Sequence, residues 1–408
     1  MNQPVRIRGI VAGGEGVGTL EDGRAVFVPR AAPGDLIEPA EVKFAKRFAR
    51  ARIGRLLEPS ADRVVPSCPH YEADLCGGCQ LQHLSADAQR SSRRRLVTDA
   101  FRRIGHLEID EPALEPSETE WEYRTRISLA VMGRAIGYHR VGRPGEVFDL
   151  VRCSIARPEL NALWAALRRL RRLLPAAAEQ VVLRVDRGGG RHILVRVSGT
   201  DAWTAARELG QTLAREGIDV VLWWRPEGGV PRAVYGAKEA FPATVFEQVH
   251  PMMGDRVRTH AIAELGDLAG RHGWDLYAGI GESTRMMLDR GASVESVELD
   301  RRAVALGDAR GPSHGVTRVA ARVEDVVDRL QPPEVVLMNP PRTGLTAEVT
   351  GQLTVGSSTR IVYVSCDPAT LARDAARLAG RYEIGSVRLF DLFPQTSHVE
   401  TVVRFERK

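Results

Sequence analysis

Between residues 5 and 57 apolar and polar positions alternate in short runs, VRIRGIVAGGEG, VGTLEDGRAVFVP and GDLIEPAEVKFAKRFARARIGRLLEP. A period of two, punctuated by glycine, predicts short strands. Asp22-Gly23 fits a hairpin turn and Pro33-Gly34-Asp35 a turn between strands. The rhythm suits a small barrel of roughly five strands. Further on, SADAQRSSRRRLVTDAFRRIG reads as a helix ending at a glycine suited to a C-cap. Residues 121–155 alternate like strands. PELNALWAALRRLRRLLPAAA then shows helical amphipathic spacing, with Pro158 near its start and Pro175 as a stop. A hairpin around three glycines (VVLRVDRGGGRHILVRVSG), a helical TDAWTAARELGQTLAREG and the strand DVVLWWRP complete an α+β region. Trp223 and Trp224 read as core and edge packing rather than a base-stacking platform. From about residue 250 the pattern becomes strand–helix alternation, which predicts an α/β, Rossmann-like, mostly parallel sheet with helices on its faces.

A chain of 408 residues exceeds one ordinary core. The changes of rhythm divide it at 1–58, 59–104, 105–245 and 246–408. Hydrophobic content of 43% supports packed cores. The net charge of +5 is modest, but its placement is uneven. EVKFAKRFARARIGR (residues 41–55) and RSSRRRLVTDAFRR (residues 90–103) each set six basic side chains against one acid. Such runs often form only a solvated face; two of them flanking a cysteine cluster point to a phosphate-backbone surface. The Arg-rich helix from 158 adds a third basic face. The opening MNQPVRIRG is polar and no apolar run reaches membrane-spanning length. The expectation is a cytoplasmic protein with no membrane partner. Five cysteines in a reducing compartment do not suggest a disulfide framework.

DLYAGIGEST places Gly279 and Gly281 after a strand and before a helix, where glycine permits a tight turn and close approach of a ligand. Alone, G-x-G can be a plain turn. The next strand, SVESVELD, ends in Glu298 and Asp300, and an acid there can hold a ribose diol. Asn339-Pro340-Pro341-Arg342 ends the fourth strand and can order a planar polar ring. Glu247 and Gln248 in TVFEQVHP stand where they can close the pocket. No phosphate-loop motif accompanies them, and the combination suits S-adenosylmethionine.

CPHYEADLCGGCQLQH gathers Cys68, Cys76 and Cys79. Tetrahedral zinc or a four-iron cube needs a fourth ligand, for which Cys153 is the remote candidate. His70 and His83 keep a three-cysteine, one-histidine zinc site open. Unligated cysteines are the bland reading, and a Gly-rich polar loop offers them no evident core.

In IVYVSCDPATLARD, Cys366 leaves a strand just before a helix whose free N–H groups favour a thiolate. Its bland reading is a core filler. Glu400, in TSHVETVVRF, opens a late strand able to return to the same crevice. A cysteine, a carboxylate and a methyl donor suit one chemistry. Thiolate addition at C6 of a pyrimidine makes C5 nucleophilic, and a base later removes the C5 proton. Cys366 and Glu400 fill these two roles; the donor to O4 stays unassigned, and Arg342 binds phosphate or orders its loop.

These motifs resemble the RNA uracil-C5 methyltransferases of the tRNA and 23S rRNA type over nearly the whole chain. The resemblance implies an N-terminal TRAM/OB-like RNA-binding barrel. It implies a [4Fe–4S] cluster on Cys68, Cys76, Cys79 and Cys153, typical of the 23S rRNA branch. It carries cofactor binding onto Gln248, Tyr277 and Glu298, the nucleophile onto Cys366 and the general base onto Glu400. The expected partner is structured RNA, 23S rRNA before tRNA, met by a monomer. Three departures stand out: Asn339 where the family usually has Asp, Glu282 where it often has Asn, and a longer first cysteine gap.

Overall fold

The computed structural model describes residues 3–236, 245–311 and 314–408. The alternating N-terminal run forms β1 (Val5–Arg6), β2 (Gly9–Ile10), β3 (Glu15–Thr19), β4 (Ala25–Pro29), β5 (Leu36–Phe44) and β6 (Phe48–Glu58). They make one curled sheet in the order β1-β5-β6-β4-β3-β2. Inward positions Val5, Ile7, Val26, Val28 and Ile37 fill its core. Two glycines permit the curl. A Cβ on Gly18 would stand 2.3 Å from the Val5 side chain, and one on Gly16 would stand 2.6 Å from the Ala31 carbonyl. Gly23 adopts φ 83° in the β3–β4 turn, as the Asp-Gly pair predicts.

After α1 (Pro69–Glu72) comes α2 (Ala86–Ala100), capped by Ser85, whose side chain accepts from Ala88 N. The C-cap expectation at Gly105 needs correction. A π-turn spans Phe101–Gly105, and the left-handed residue is His106 at φ 52°. Gly105 serves packing instead, since a Cβ there would lie 2.9 Å from the Ala372 carbonyl.

The central sheet comprises β8 (Arg126–Met132), β9 (Ala135–Gly137), β12 (Ala178–Val185), β13 (Arg191–Val197), β14 (Val221–Arg225) and β15 (Arg232–Tyr235), in the order β15-β14-β13-β12-β8-β9. Before it lies β7 (Ala113–Glu115), and a small ribbon pairs β10 (His139–Arg140) with β11 (Arg143–Val147). Helices α3 (Pro158–Arg169) and α4 (Ala206–Arg215) cover the sheet, burying Leu163, Trp164, Leu167 and Leu209. The basic face of α3 is largely matched: Arg168 meets Asp149 at 2.8 Å and Arg169 meets Glu216 at 2.6 Å. Trp223 is buried, its Nε1 donating to His192 Nδ1 at 3.1 Å.

The C-terminal sheet runs β18-β17-β16-β19-β20-β22-β21-β7. Its strands are β16 (His272–Leu276), β17 (Ser293–Glu298), β18 (Val316–Ala320), β19 (Val335–Met338), β20 (Arg360–Ser365), β21 (Tyr382–Phe390) and β22 (Glu400–Arg407). Helices α5 (Pro251–Glu264), α6 (Glu282–Leu288), α7 (Arg301–Arg310), α8 (Ala347–Val355) and α9 (Pro368–Leu378) accompany them. β16 to β20 are parallel, and β22 enters antiparallel between β20 and β21. Strand order reverses between β16 and β19, the crevice where such sheets bind ligands. The central parallel strands β19 and β20 are buried on both faces, which explains their apolar runs, whereas the edge strand β18 is not. Among the described residues no helix is long and apolar enough to cross a membrane.

One expectation for the second basic run fails. Arg93 is fully buried, 3.1 Å from Asp391. It donates to the carbonyls of Thr396 at 2.8 Å and His398 at 3.1 Å. A cation this deep orders the 391–398 loop rather than meeting phosphate.

Candidate active site

At the reversal point the chain leaves β16 through a turn of left-handed residues: Tyr277 (φ 61°), Gly279 (φ 59°) and Gly281 (φ 77°). For a bulky aromatic this backbone costs about 1–3 kcal/mol. The turn borders a cleft that Gln248, Tyr277, Gly279 and Asn339 help line. A Cβ on Gly279 would meet nothing within 4 Å, so the turn presents bare backbone to open space. Gly281 lies just outside and caps α6. Glu298 braces the turn from β17: its carboxylate accepts from Gly279 N at 2.9 Å and from Asp300 N at 2.8 Å. Glu247 also lines the cleft, paired with Arg184.

Two features of this cleft were not legible as motifs. Asp275 is buried, with Ser283 and Thr284 hydroxyls donating to it at 2.7 and 2.6 Å, and burial pushes its carboxyl up to about 6. An acid inside an otherwise apolar strand was the available signal. Glu282 is paired with Arg258, and Arg187 lies 3.7 Å away. The negative charge expected near a methionine end is therefore matched by two guanidinium groups.

Cys366 and Glu400 meet by register. β20 and β22 pair antiparallel, and their ladder ends at Ser365 opposite Thr401, next to both residues. β20 is two strands from β16, about 10 Å at the usual strand spacing. Glu400 is 2% exposed, and burial pushes its carboxyl up to about 8 against the opposing pull of Arg342. Burial also raises the Cys366 thiol, the Glu400 charge adds to that, and Arg342 lowers it. The expected help from the α9 terminus is absent for a local reason: the Asp367 side chain takes the N–H groups of Ala369 and Thr370, both at 2.9 Å. The cation serving the thiol is Arg342, whose Nη2 donates to His398 Nε2 at 3.4 Å. Burial, then Arg342, lowers His398 to about 4, so the ring is neutral and accepts. His398 went unread although it stands inside the same His-Val-Glu motif as Glu400.

The iron–sulfur expectation is corrected. Among the described residues, no group of three or more His, Cys, Asp or Glu side chains is placed to hold a metal ion. Cys68, Cys76, Cys79 and Cys153 border one small cavity, yet they sit in a hydrophobic core with Tyr71, Tyr123, Leu150 and Ile155. The loop thus has the core that its polar sequence hid. Burial pushes the Cys76 thiol up to about 12 and raises Cys79 and Cys153, which favours thiol over the thiolate that ligates metals. His70 is engaged at both ring nitrogens, by Asp74 at 2.7 Å and the Val151 N–H at 3.3 Å, and His83 Nδ1 bonds the Tyr71 hydroxyl at 2.7 Å.

Residues 314–408 match the family model described as tRNA (Uracil-5-)-methyltransferase. The 23S rRNA (uracil(1939)-C(5))-methyltransferase RlmD of Dechloromonas aromatica is 32% identical over 95% of this chain and 96% of its own. The chain belongs to the RNA uracil-C5 methyltransferase family. An uncharacterized RNA methyltransferase of Corynebacterium efficiens, CE1797, is 33% identical over 97% of this chain and 92% of its own. The solved tRNA (uracil-54, C5)-methyltransferase of Pyrococcus abyssi, in complex with S-adenosyl-L-homocysteine, shares the fold at TM-score 0.72 and 21% identity, covering 99% of this chain and 100% of its own. The protein is an S-adenosylmethionine-dependent RNA uracil-C5 methyltransferase acting on structured RNA. Of its departures from the family pattern, Asn339 lies exposed on the cleft lining, with its backbone N–H bound to the Leu276 carbonyl at 3.2 Å.

Proposed function

We propose that this methyltransferase modifies a uridine of 23S rRNA at C5, with Cys366 as nucleophile and Glu400 as general base. The observation that carries the reading is that the β20–β22 ladder ends at Ser365 opposite Thr401, next to both residues, where the Glu400 charge acts on the Cys366 thiol. The cleft fits S-adenosylmethionine by its bare glycine turn; Gln248, Tyr277, Gly279 and Asn339 would hold it, while Glu298 and Gly281 shape the turn behind it. When bound there, it supplies an electrophilic methyl group to C5.

The half-exposed Cys366 thiol gives its proton to solvent before the sulfur adds to C6, and Arg342 is the group that favours the anion. The new S–C6 bond moves the ring's electron pair toward C5 and O4. After C5 has gained its methyl, the Glu400 carboxylate takes the C5 proton. The S–C6 bond then breaks, C5–C6 becomes double again, and the thiolate is restored. A carboxyl pushed up to about 8 is the weaker acid, so its carboxylate is the stronger base, which suits proton abstraction near neutral pH.

Support for 23S rRNA comes from relatives bearing that substrate in their names and spanning at least 95% of this chain. Deleting the gene and mapping 5-methyluridine in both RNA classes tests the choice. Loss from 23S rRNA with tRNA unchanged is expected; loss from tRNA alone contradicts it.

A further inference from the structure

The β5–β6 hairpin ends in Phe44-Ala45-Lys46-Arg47-Phe48, closed by the Ala45 N–H on the Phe48 carbonyl at 2.8 Å. A tip so small has no core of its own, yet it carries two rings into solvent: Phe44 is 62% exposed and Phe48 38%. Neither ring is loose. The Arg24 guanidinium lies 4.4 Å from the Phe44 centroid, and Phe27 meets Phe48 edge-on at 5.7 Å. Phe44 also borders a trough with Leu20, Pro39 and Val42.

Charge on the same hairpin falls into two groups. Arg50, Arg52 and Arg55, further down β6, are matched by Glu15, Glu41 and Glu38 at 3.1, 2.9 and 3.2 Å. At the tip, Lys43, Lys46 and Arg47 are exposed and pair with no carboxylate among the described residues. Of Glu21 and Asp22, the acids bordering the trough with Phe44, Asp22 is engaged by Arg24. Positive charge left unmatched beside fixed aromatic faces is complementary to unpaired nucleic acid, whose bases stack on rings while phosphates meet cations. Two rings are too small an area for a stable protein interface.

We propose that this hairpin tip is a base-stacking platform that holds an unpaired stretch of the RNA substrate on Phe44 and Phe48, with Lys43, Lys46 and Arg47 at its phosphates. The inference rests on RNA being the substrate, and is independent of which RNA is methylated. The platform supplies affinity and takes no part in the chemistry.

The test is anisotropy of a fluorescein-labelled oligouridine titrated with the full-length protein over a range of salt. F44A/F48A is expected to weaken binding by about tenfold or more, given the usual worth of one stacked base. F44W/F48W retains wild-type affinity, because indole stacks equally well. K46A/R47A is expected to reduce the slope of log Kobs against log salt by about 1.4, two single-strand phosphate contacts. A change under twofold in F44A/F48A, or an unchanged salt slope, overturns the platform. Equal loss in F44A/F48A and F44W/F48W also overturns it, since the rings would then act only through packing. In methyl transfer, F44A/F48A should raise the KM for RNA. A wild-type protein that binds oligouridine through these rings but does not methylate would count against the catalytic assignment and not against the platform.

Discussion

At the residue scale the half-buried Cys366 thiol and the buried Glu400 carboxyl feel the same cation, Arg342. Arg342 opposes the effect of burial at both Cys366 and Glu400. Arg342→Ala should therefore move the pH dependence of kcat to higher pH, and a profile that stays in place would remove Arg342 from the electrostatics of the pair. Glu400 also leaves a mark on stability. Its folded value of about 8 lies above the ordinary 4.5, so the folded protein binds this proton more tightly than the unfolded chain. The associated stability is whole below about pH 4.5 and is lost as pH rises toward 8. Glu400→Gln, which stays neutral throughout, should raise Tm relative to the wild type at pH 9 and leave the two equal at pH 4. Differential scanning calorimetry at both pH values checks this; equal Tm values at pH 9 would mean the carboxyl is not held in a dry site.

At the element scale the 391–398 loop links the start of β22 to distant parts of the chain. Arg93 of α2 grips its carbonyls, the Gln89 and Gln395 side chains bond at 2.9 Å, and the Tyr123 hydroxyl donates to the Pro394 carbonyl at 3.0 Å. Glu400 is thus placed by residues some three hundred positions earlier. Breaking the Arg93–Asp391 pair with Arg93→Ala should cost about 3–5 kcal/mol, read by urea denaturation, because it strands a buried charge. A loss under 1 kcal/mol would mean the loop holds its shape without this grip. Arg93 shows what the sequence could not disclose. Within RSSRRR nothing distinguishes the one arginine turned inward, since its partners lie on a loop near the other end of the chain. The cysteine loop misled for a related reason, its polar composition giving no hint of the Tyr- and Leu-rich core behind it. The strand–helix rhythm from residue 250, by contrast, was legible, because parallel strands buried on both faces must be apolar throughout. The insertion of β22 between β20 and β21 was not, as ladder partners leave no local trace.

At the scale of the whole molecule, the described residues that line the cleft all fall within 246–364, at one end of the C-terminal sheet. The glycine turn proposed to hold the methyl donor follows β16, and Cys366, the proposed nucleophile, follows β20, with only β19 between. Residues 277–281, 366 and 400 were each readable as motifs because strand ends carry chemistry in α/β folds. Their convergence was readable only through resemblance, since spacing along the chain does not fix strand order. The direct test is mass spectrometry of the protein incubated with S-adenosylmethionine and 5-fluorouridine-substituted RNA, in which fluorine replaces the proton that Glu400 must remove. A covalent protein–RNA adduct whose digest places the RNA on Cys366, and which is absent from Cys366→Ala, is the predicted result. Methylated product formed without any adduct, or an adduct that persists in Cys366→Ala, would contradict the account.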